Sequence, residues 1–269
     1  MKTLFITGAS SGIGKATAQL FQAKGWNVAI AVRQPESVAD LAALPHVKVY
    51  QLDVTNTSSI DPAVEAAIRD FGGIDVLANN AGYAAVGPFE AASDEQLRKQ
   101  FETNVFGLMN VSRAILPHFR SRRAGTIINL SSVGGQITFP LYSLYHSTKF
   151  AVEGFSESLA YELRPFGIKL RLIEPGAIKT DFYTRSMDIA KKAGLTDYDA
   201  WSATVLASMD KTVARAPGPE VVAAKIWQAA NHHGGKLRWL VGRESMFVLL
   251  KRWIPNAWFF GLVRANLKA

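Results

Sequence analysis

Thr7-Gly8-Ala9-Ser10-Ser11-Gly12-Ile13-Gly14 sits between the apolar run Thr3–Thr7 and the amphipathic pattern Ile13–Lys24. A strand, a glycine-rich turn and a helix start, in that order, form an anion cradle. Glycine lets backbone N–H groups approach a diphosphate, and the helix N-terminus adds the positive end of its dipole. The general dinucleotide fingerprint is G-x-G-x-x-G, whereas the spacing here is G-x-x-x-G-x-G. Read alone, the segment could be a tight strand-to-helix connection. The strand before it and the helix after it favour nucleotide binding.

The same alternation continues outward. Strand-like runs recur at Val28–Val32, Val47–Leu52, Ile74–Ala78, Thr126–Leu130, Lys169–Ile173 and Arg238–Val241. Most are apolar almost throughout, the mark of strands covered on both faces. Helical patterns separate them at Ser58–Phe71, Ser93–Phe119, Tyr142–Leu163 and Glu220–His232. Right-handed crossovers then predict one α/β domain over residues 1–242: a Rossmann-type, doubly wound parallel sheet of about seven strands with helices on both faces. Lys179–Pro219 is rich in helix formers and lies beyond a strand's carboxyl end, the ligand side of such a sheet. It reads as a substrate flap, at about 180–218, without a strand of its own. A basic amphipathic tail, 243–269, follows, with Pro255 dividing two helices.

The 269 residues are 48% hydrophobic and 19% charged, which excludes a disordered chain. Without cysteine there is no disulfide scaffold, thiolate metal site or Cys nucleophile, and no metal is expected. Half of the net charge of +8 lies in the tail, so nucleic-acid binding lacks a footprint. No targeting segment is expected before Thr3, and no apolar run approaches a membrane span. The expectation is a cytoplasmic protein, with peripheral membrane contact through the tail as one role for that segment.

Tyr145 and Lys149 stand at i and i+4 in Tyr145-His146-Ser147-Thr148-Lys149, on one helix face. Ser132 lies 13 residues upstream of Tyr145, with Ser131 its rival, and Asn104 lies on the preceding long helix. Reducing a carbonyl leaves an alkoxide that must take a proton. A phenol does this near neutrality only if its anion is stabilised, as a lysine and an oxidised nicotinamide would do by lowering its pKa. Ser132 would donate to the substrate oxygen. His146 points away from Tyr145 along the helix and is not expected to take part.

Together these motifs resemble the short-chain dehydrogenase/reductase family in its single-domain form, in family order from Thr7 to about Val241. The resemblance implies an oxidoreductase with Asn104, Ser132, Tyr145 and Lys149 as catalytic residues. In it Lys149 also holds the nicotinamide ribose, and Asn104 positions a relay water. Gly8, Ser10, Ser11, Gly12, Ile13 and Gly14 would cradle the pyrophosphate. Asp53 and Val54 would meet the adenine, while Asn80, Ala81 and Gly82 of Asn79-Asn80-Ala81-Gly82 line its ribose side. Pro175, Gly176, Ile178 and Thr180 match the loop that holds the carboxamide. The acidic slot of NAD-preferring enzymes falls on Val32, with Arg33 next, which argues for NADP(H).

Expected pocket walls are Tyr83, Val86, the segment 134–142 with Phe139, and Phe182–Tyr183, apolar and free of clustered charge. A small hydrophobic ketone, aldehyde or alcohol fits, steroid- or lipid-like, similar to the 17β-hydroxysteroid-dehydrogenase-like branch. A homodimer or homotetramer is expected. The alternative, a catalytically silent NADP sensor or scaffold, needs none of the proton chemistry that Asn104, Ser132, Tyr145 and Lys149 would supply.

Overall fold

Runs that are apolar at every position demand cover on both faces. In the computed structural model, which describes residues 1–267, β1 (Thr3–Thr7) and β2 (Asn27–Val32) are buried throughout. Around them follow α1 (Gly12–Ala23), α2 (Ala39–Ala42), β3 (Val47–Gln51), α3 (Ile60–Phe71), β4 (Val76–Asn79), β5 (Ala84–Val86), α4 (Asp94–Phe101), α5 (Leu108–Arg122) and β6 (Gly125–Leu130). The second half holds α6 (Ser143–Leu163), β7 (Ile168–Pro175), α7 (Phe182–Arg185), β8 (Met187–Ile189), α8 (Asp199–Ala214), α9 (Glu220–Ala230), β9 (Arg238–Val241), α10 (Ser245–Lys251) and α11 (Asn256–Leu267). The expected tail extends to Lys268 and Ala269, which lie outside the described residues.

Seven strands form one parallel sheet in the order β3-β2-β1-β4-β6-β7-β9. Leu4, Ile6, Val28 and Ile30 pack on one face with Phe21 of α1 and Ile226 of α9. Phe5, Ala29 and Leu77 pack on the other with Val64 of α3, Ile115 of α5 and Val152 of α6. Each such aliphatic side chain contributes about 1.5–3 kcal/mol by leaving water. The order reverses between β1 and β4, so a crevice opens there at the strands' carboxyl ends.

Two expectations need correction. The helix predicted over Ser93–Phe119 is broken between α4 and α5 by a π-turn at Glu102–Gly107. Its wider ring carries Asn104 inward, and Gly107 lets the turn pack on Val54, whose Cβ would lie 2.8 Å from any added Cβ. The flap is not helix alone, because β8 pairs in parallel with β5. Ala84 N–H donates to the Ser186 carbonyl and Ala190 N–H to that of Val86, stitching the flap to the loop after β4. Gln96 adds a third tie: it closes a capping box with Ser93 and donates Nε2–H to Asp188 Oδ1 at 2.8 Å.

Candidate active site

The turn after β1 is built by close approach. Gly8 has φ +70°, and a Cβ there would lie 2.8 Å from Ala81 Cα. A Cβ on Gly14 would lie 2.3 Å from the Gly8 carbonyl oxygen, so the helix can begin only with glycine. Asn80 locks this turn to the end of β4: its Nδ2 donates to the Thr7 carbonyl at 3.1 Å and the Gly8 carbonyl at 2.8 Å. Thr7 Oγ1 in return accepts from the backbone N–H groups of Asn80 and Ala81. Asn80 therefore shapes the cradle as well as lining it.

A cavity of about 900 Å³ runs from this cradle to the flap. Gly8, Ser10, Ser11, Gly12, Ile13 and Gly14 line its floor, and Asp53, Val54, Asn80, Ala81 and Gly82 line one side. Arg33 and Ser37 stand at its rim, with buried Val32 in the slot where an acid would repel a phosphate. Arg33 is exposed and makes no ion pair among the described residues. Asp53 Oδ1 accepts from Thr55 N–H and Oγ1–H, which fixes the acid at the strand end. Pro175, Gly176, Ile178 and Thr180 close the opposite wall, with Thr180 Cβ 3.3 Å from where a Gly12 Cβ would sit.

Ser132, Tyr145 and Lys149 line one cavity, and Ser131 lines it with them. Ser132 Oγ accepts from Gly134 N–H at 3.0 Å and donates to the Pro175 carbonyl. Ser131 Oγ is buried without a hydrogen-bond partner among the described residues. Lys149 is buried; its Nζ donates to the Leu130 carbonyl at 2.7 Å and stands 5.6 Å from the Tyr145 ring centroid. Burial lowers its pKa to about 8 against the pull of Glu153. Burial pushes the Tyr145 phenol up to about 12, with Ser132 acting the other way. Contrary to expectation, Lys149 is not among the groups that lower it; its ammonium is held on the Leu130 carbonyl.

Asn104 is brought near this group but not into it. Its Oδ1 accepts from Tyr83 N–H, and its Nδ2 donates to the Tyr83 carbonyl and to Thr148 Oγ1. Both amide hydrogens are engaged, so the side chain anchors the loop after β4 to α6. His146 is structural, as its position on the helix suggests. Its Nε2 accepts from Phe139 N–H, which leaves Nδ1–H to donate to the Gly134 carbonyl. Burial lowers its pKa to about 4, so it stays neutral while latching the loop that carries Phe139.

At the flap end Tyr83, Tyr142, Phe182, Met187 and Met209 make an apolar wall. Val86 is not part of it; as a β5 residue it is buried beneath, against Leu141 and Val205. The wall is also more charged than expected, since Lys99, Arg185, Asp188 and Glu244 line it. Arg185 and Asp188 are neighbours in the flap, and only the tertiary fold brings Lys99 and Glu244 to them. Lys99 Nζ lies 5.4 Å from the Tyr83 ring centroid, and the buried Tyr83 hydroxyl has no hydrogen-bond partner among the described residues. Glu244 is the functional residue the sequence reading missed. Its Oε2 accepts from Ala177 N–H and lies where a Cβ on Gly176 would clash, so it braces the turn after β7.

The donor set fits a phosphorylated dinucleotide: glycine-cleared N–H groups at a helix start, a guanidinium at the rim, and buried hydroxyl and ammonium groups midway. Comparison with known proteins agrees. A family profile described as short chain dehydrogenase matches residues 2–189. An uncharacterized oxidoreductase of Schizosaccharomyces pombe is 43% identical over 88% of this chain and 99% of its own. A 3-ketodihydrosphingosine reductase of Bacteroides thetaiotaomicron is 38% identical, over 94% and 93%. An NADPH-dependent 3-dehydrocapnine reductase of Ornithobacterium rhinotracheale is 33% identical, over 100% and 98%. Among solved structures, a short-chain dehydrogenase from Streptomyces avermitilis superposes with TM-score 0.84 at 35% identity, covering 99% of this chain and 94% of that one. ElxO with NADP bound gives 0.73 at 28%, covering 89% and 97%.

Proposed function

Because the chain belongs to the short chain dehydrogenase family, we propose that it is an NADP(H)-dependent oxidoreductase acting on a hydrophobic ketone, aldehyde or alcohol. One observation carries the reading: Ser132, Tyr145 and Lys149 converge on a cavity whose far end is the glycine cradle with Arg33 at its rim. The dinucleotide supplies or accepts the hydride. Tyr145 gives its proton to the substrate oxygen. A phenol held near 12 keeps that proton through the neutral range, which favours the reductive direction, because an alkoxide is a much stronger base. Ser132 Oγ–H turns from the Pro175 carbonyl to the developing alkoxide. Lys149 holds the ribose hydroxyls and lends its charge to the phenolate left behind.

Arg33 would pair with the 2′-phosphate, with Ser10 and Ser37 beside it on the cavity lining. The apolar walls suit the steroid- or lipid-like ketones expected of the 17β-hydroxysteroid-dehydrogenase-like branch, and two relatives named as reductases support carbonyl reduction. Lys99, Arg185 and Asp188 would meet a polar end on such a substrate. The unit at work is a cytoplasmic homodimer or homotetramer, for which exposed Phe106 and Phe150 offer apolar surface.

The test is a screen of hydrophobic carbonyls that follows NADPH absorbance, repeated with Tyr145→Phe. Turnover should fall at least ~100-fold with cofactor binding kept. A variant near wild-type rate would remove Tyr145 from the chemistry.

A further inference from the structure

The two C-terminal helices are apolar on more sides than the body covers. Their inner stripe is settled: Val248 and Phe259 are buried against Val133 and Ile137, and Phe247 and Val263 line the cavity. Lys251 Nζ donates to the Gln136 carbonyl at 2.8 Å and pins α10 in place. Their outer stripe is a continuous set of large apolar groups. Met246 and Leu249 stand one turn apart on α10, Trp253 follows in the turn after it, and Trp258 and Phe260 flank the buried Phe259 on α11. Trp253 is 86% exposed, and Met246 and Trp258 are each 70% exposed. A solvated helix face is polar, so a row of this kind marks a surface that meets something less polar than water.

Charge decides what that is. Arg243 just before α10 and Arg264 on α11 are exposed, while Arg252, in the turn after α10, reaches back to Gln136 Oε1 at 3.5 Å. The segment's one acid, Glu244, is turned inward onto Ala177. A two-fold contact between copies would set this patch against itself, cation facing cation, without an exposed carboxylate from either side. A sheet of anionic headgroups satisfies Arg243 and Arg264 at once, and tryptophan beside arginine suits the headgroup boundary. Among the described residues no helix is long and apolar enough to cross a membrane. The contact is therefore with a surface.

We infer that the outer face of α10 and α11 docks on an anionic lipid bilayer, and that the cavity walled by the inner face of these helices takes its substrate from that layer. The second half rests on the function proposed above; the first does not. Substrate would pass between helices whose one side touches lipid and whose other side touches the site. A sparingly soluble ketone then need not cross bulk water.

The experiment is flotation of the full chain with phosphatidylcholine vesicles, with and without phosphatidylserine. Wild type should rise with the anionic vesicles, release as salt is added, and stay behind with phosphatidylcholine alone. Trp253→Ala/Trp258→Ala should weaken partition at least about tenfold, and Arg243→Glu/Arg264→Glu should abolish it. Both changes lie at exposed positions, so urea unfolding and turnover of a water-soluble ketone should match wild type. Brominated lipid should quench the fluorescence of wild type but not of Trp253→Phe/Trp258→Phe. Protein that stays below the anionic vesicles, or that floats equally well in both alanine and glutamate variants, overturns docking. So does light scattering that finds a dimer lost on Trp253→Ala/Trp258→Ala. Docking without any reductase activity would leave the surface standing and remove only the substrate reading.

Discussion

Glu174→Gln should make the protein more stable in alkali while leaving it unchanged in mild acid. Glu174 is fully buried at the carboxyl end of β7. One guanidinium, Arg238, serves three carboxylates: its Nε lies 3.1 Å from Glu153 and 3.5 Å from Glu174, and its Nη2 lies 2.8 Å from Glu157. Burial first, and then the neighbouring Glu153, push the Glu174 carboxyl from its ordinary 4.5 to about 8; Arg238, Gln136 and Arg252 pull it back only in part. The folded chain thus holds a proton that the unfolded chain releases. Stability from this group is complete below about 4.5 and is lost as pH rises through about 8. A difference of that size corresponds to roughly 4–5 kcal/mol for an isolated group. Glu153 is raised as well and shares Arg238, so we expect about 2–4 kcal/mol of the loss to vanish with Glu174. Glutamine keeps the shape, stays neutral and still accepts from Gln136. Urea unfolding of both proteins on either side of the window isolates the effect, because other titrating groups cancel in the difference. Equal pH slopes, or a variant less stable at the alkaline end, would mean that Glu174 is ionised and well paired in the folded protein.

Arg33→Ala should narrow the preference for NADPH over NADH by roughly ten- to a hundredfold, the worth of one charge-assisted contact, and leave NADH binding nearly unchanged; paired titrations decide it. NADPH affinity should fall as pH rises through about 8, where Lys149 loses its charge, and this limb should be missing in Lys149→Ala, which binds weakly throughout. Gly14→Ala should abolish cofactor binding and lower the melting temperature, since its methyl meets the Gly8 carbonyl and the Asn80 amide; a variant that binds normally would show that the turn relaxes at little cost. His146→Phe should raise KM more than it lowers kcat, because it frees the loop bearing Phe139 without touching Tyr145 chemistry.

The seven sheet strands were legible because each is a short apolar run needing cover on two faces, and their bounds agree with the structure to within about two residues. β5 and β8 were not: Ala84-Ala85-Val86 and Met187-Asp188-Ile189 are too short to carry a period, and only their pairing makes them strands. The π-turn at Asn104 was hidden inside a pattern that reads as one helix. Tyr145, Lys149 and Ser132 were picked out by spacing, but that Ser132 and not Ser131 bonds the neighbouring backbone is a property of the loop after β6. Glu174 carried a signal that went unread, an acid next to the buried run Leu172–Ile173. The polar ladder of Asn79, Asn129 and Ser156, which links β4, β6 and α6 beneath the site, joins residues too far apart in the chain for local patterning to reveal.

The Asn80 lock on the glycine turn has a kinetic consequence. The groups it joins are 72 to 74 residues apart in sequence, so the cradle acquires its shape only after β4 has settled beside β1. Closing so long a loop is slow and comes late in folding. A dinucleotide that recognises the finished cradle finds nothing to hold on the way up the barrier. It should slow unfolding in proportion to its saturation and leave the refolding rate where it was. For this chain the cofactor would act as a brake on coming apart, not as a template for coming together.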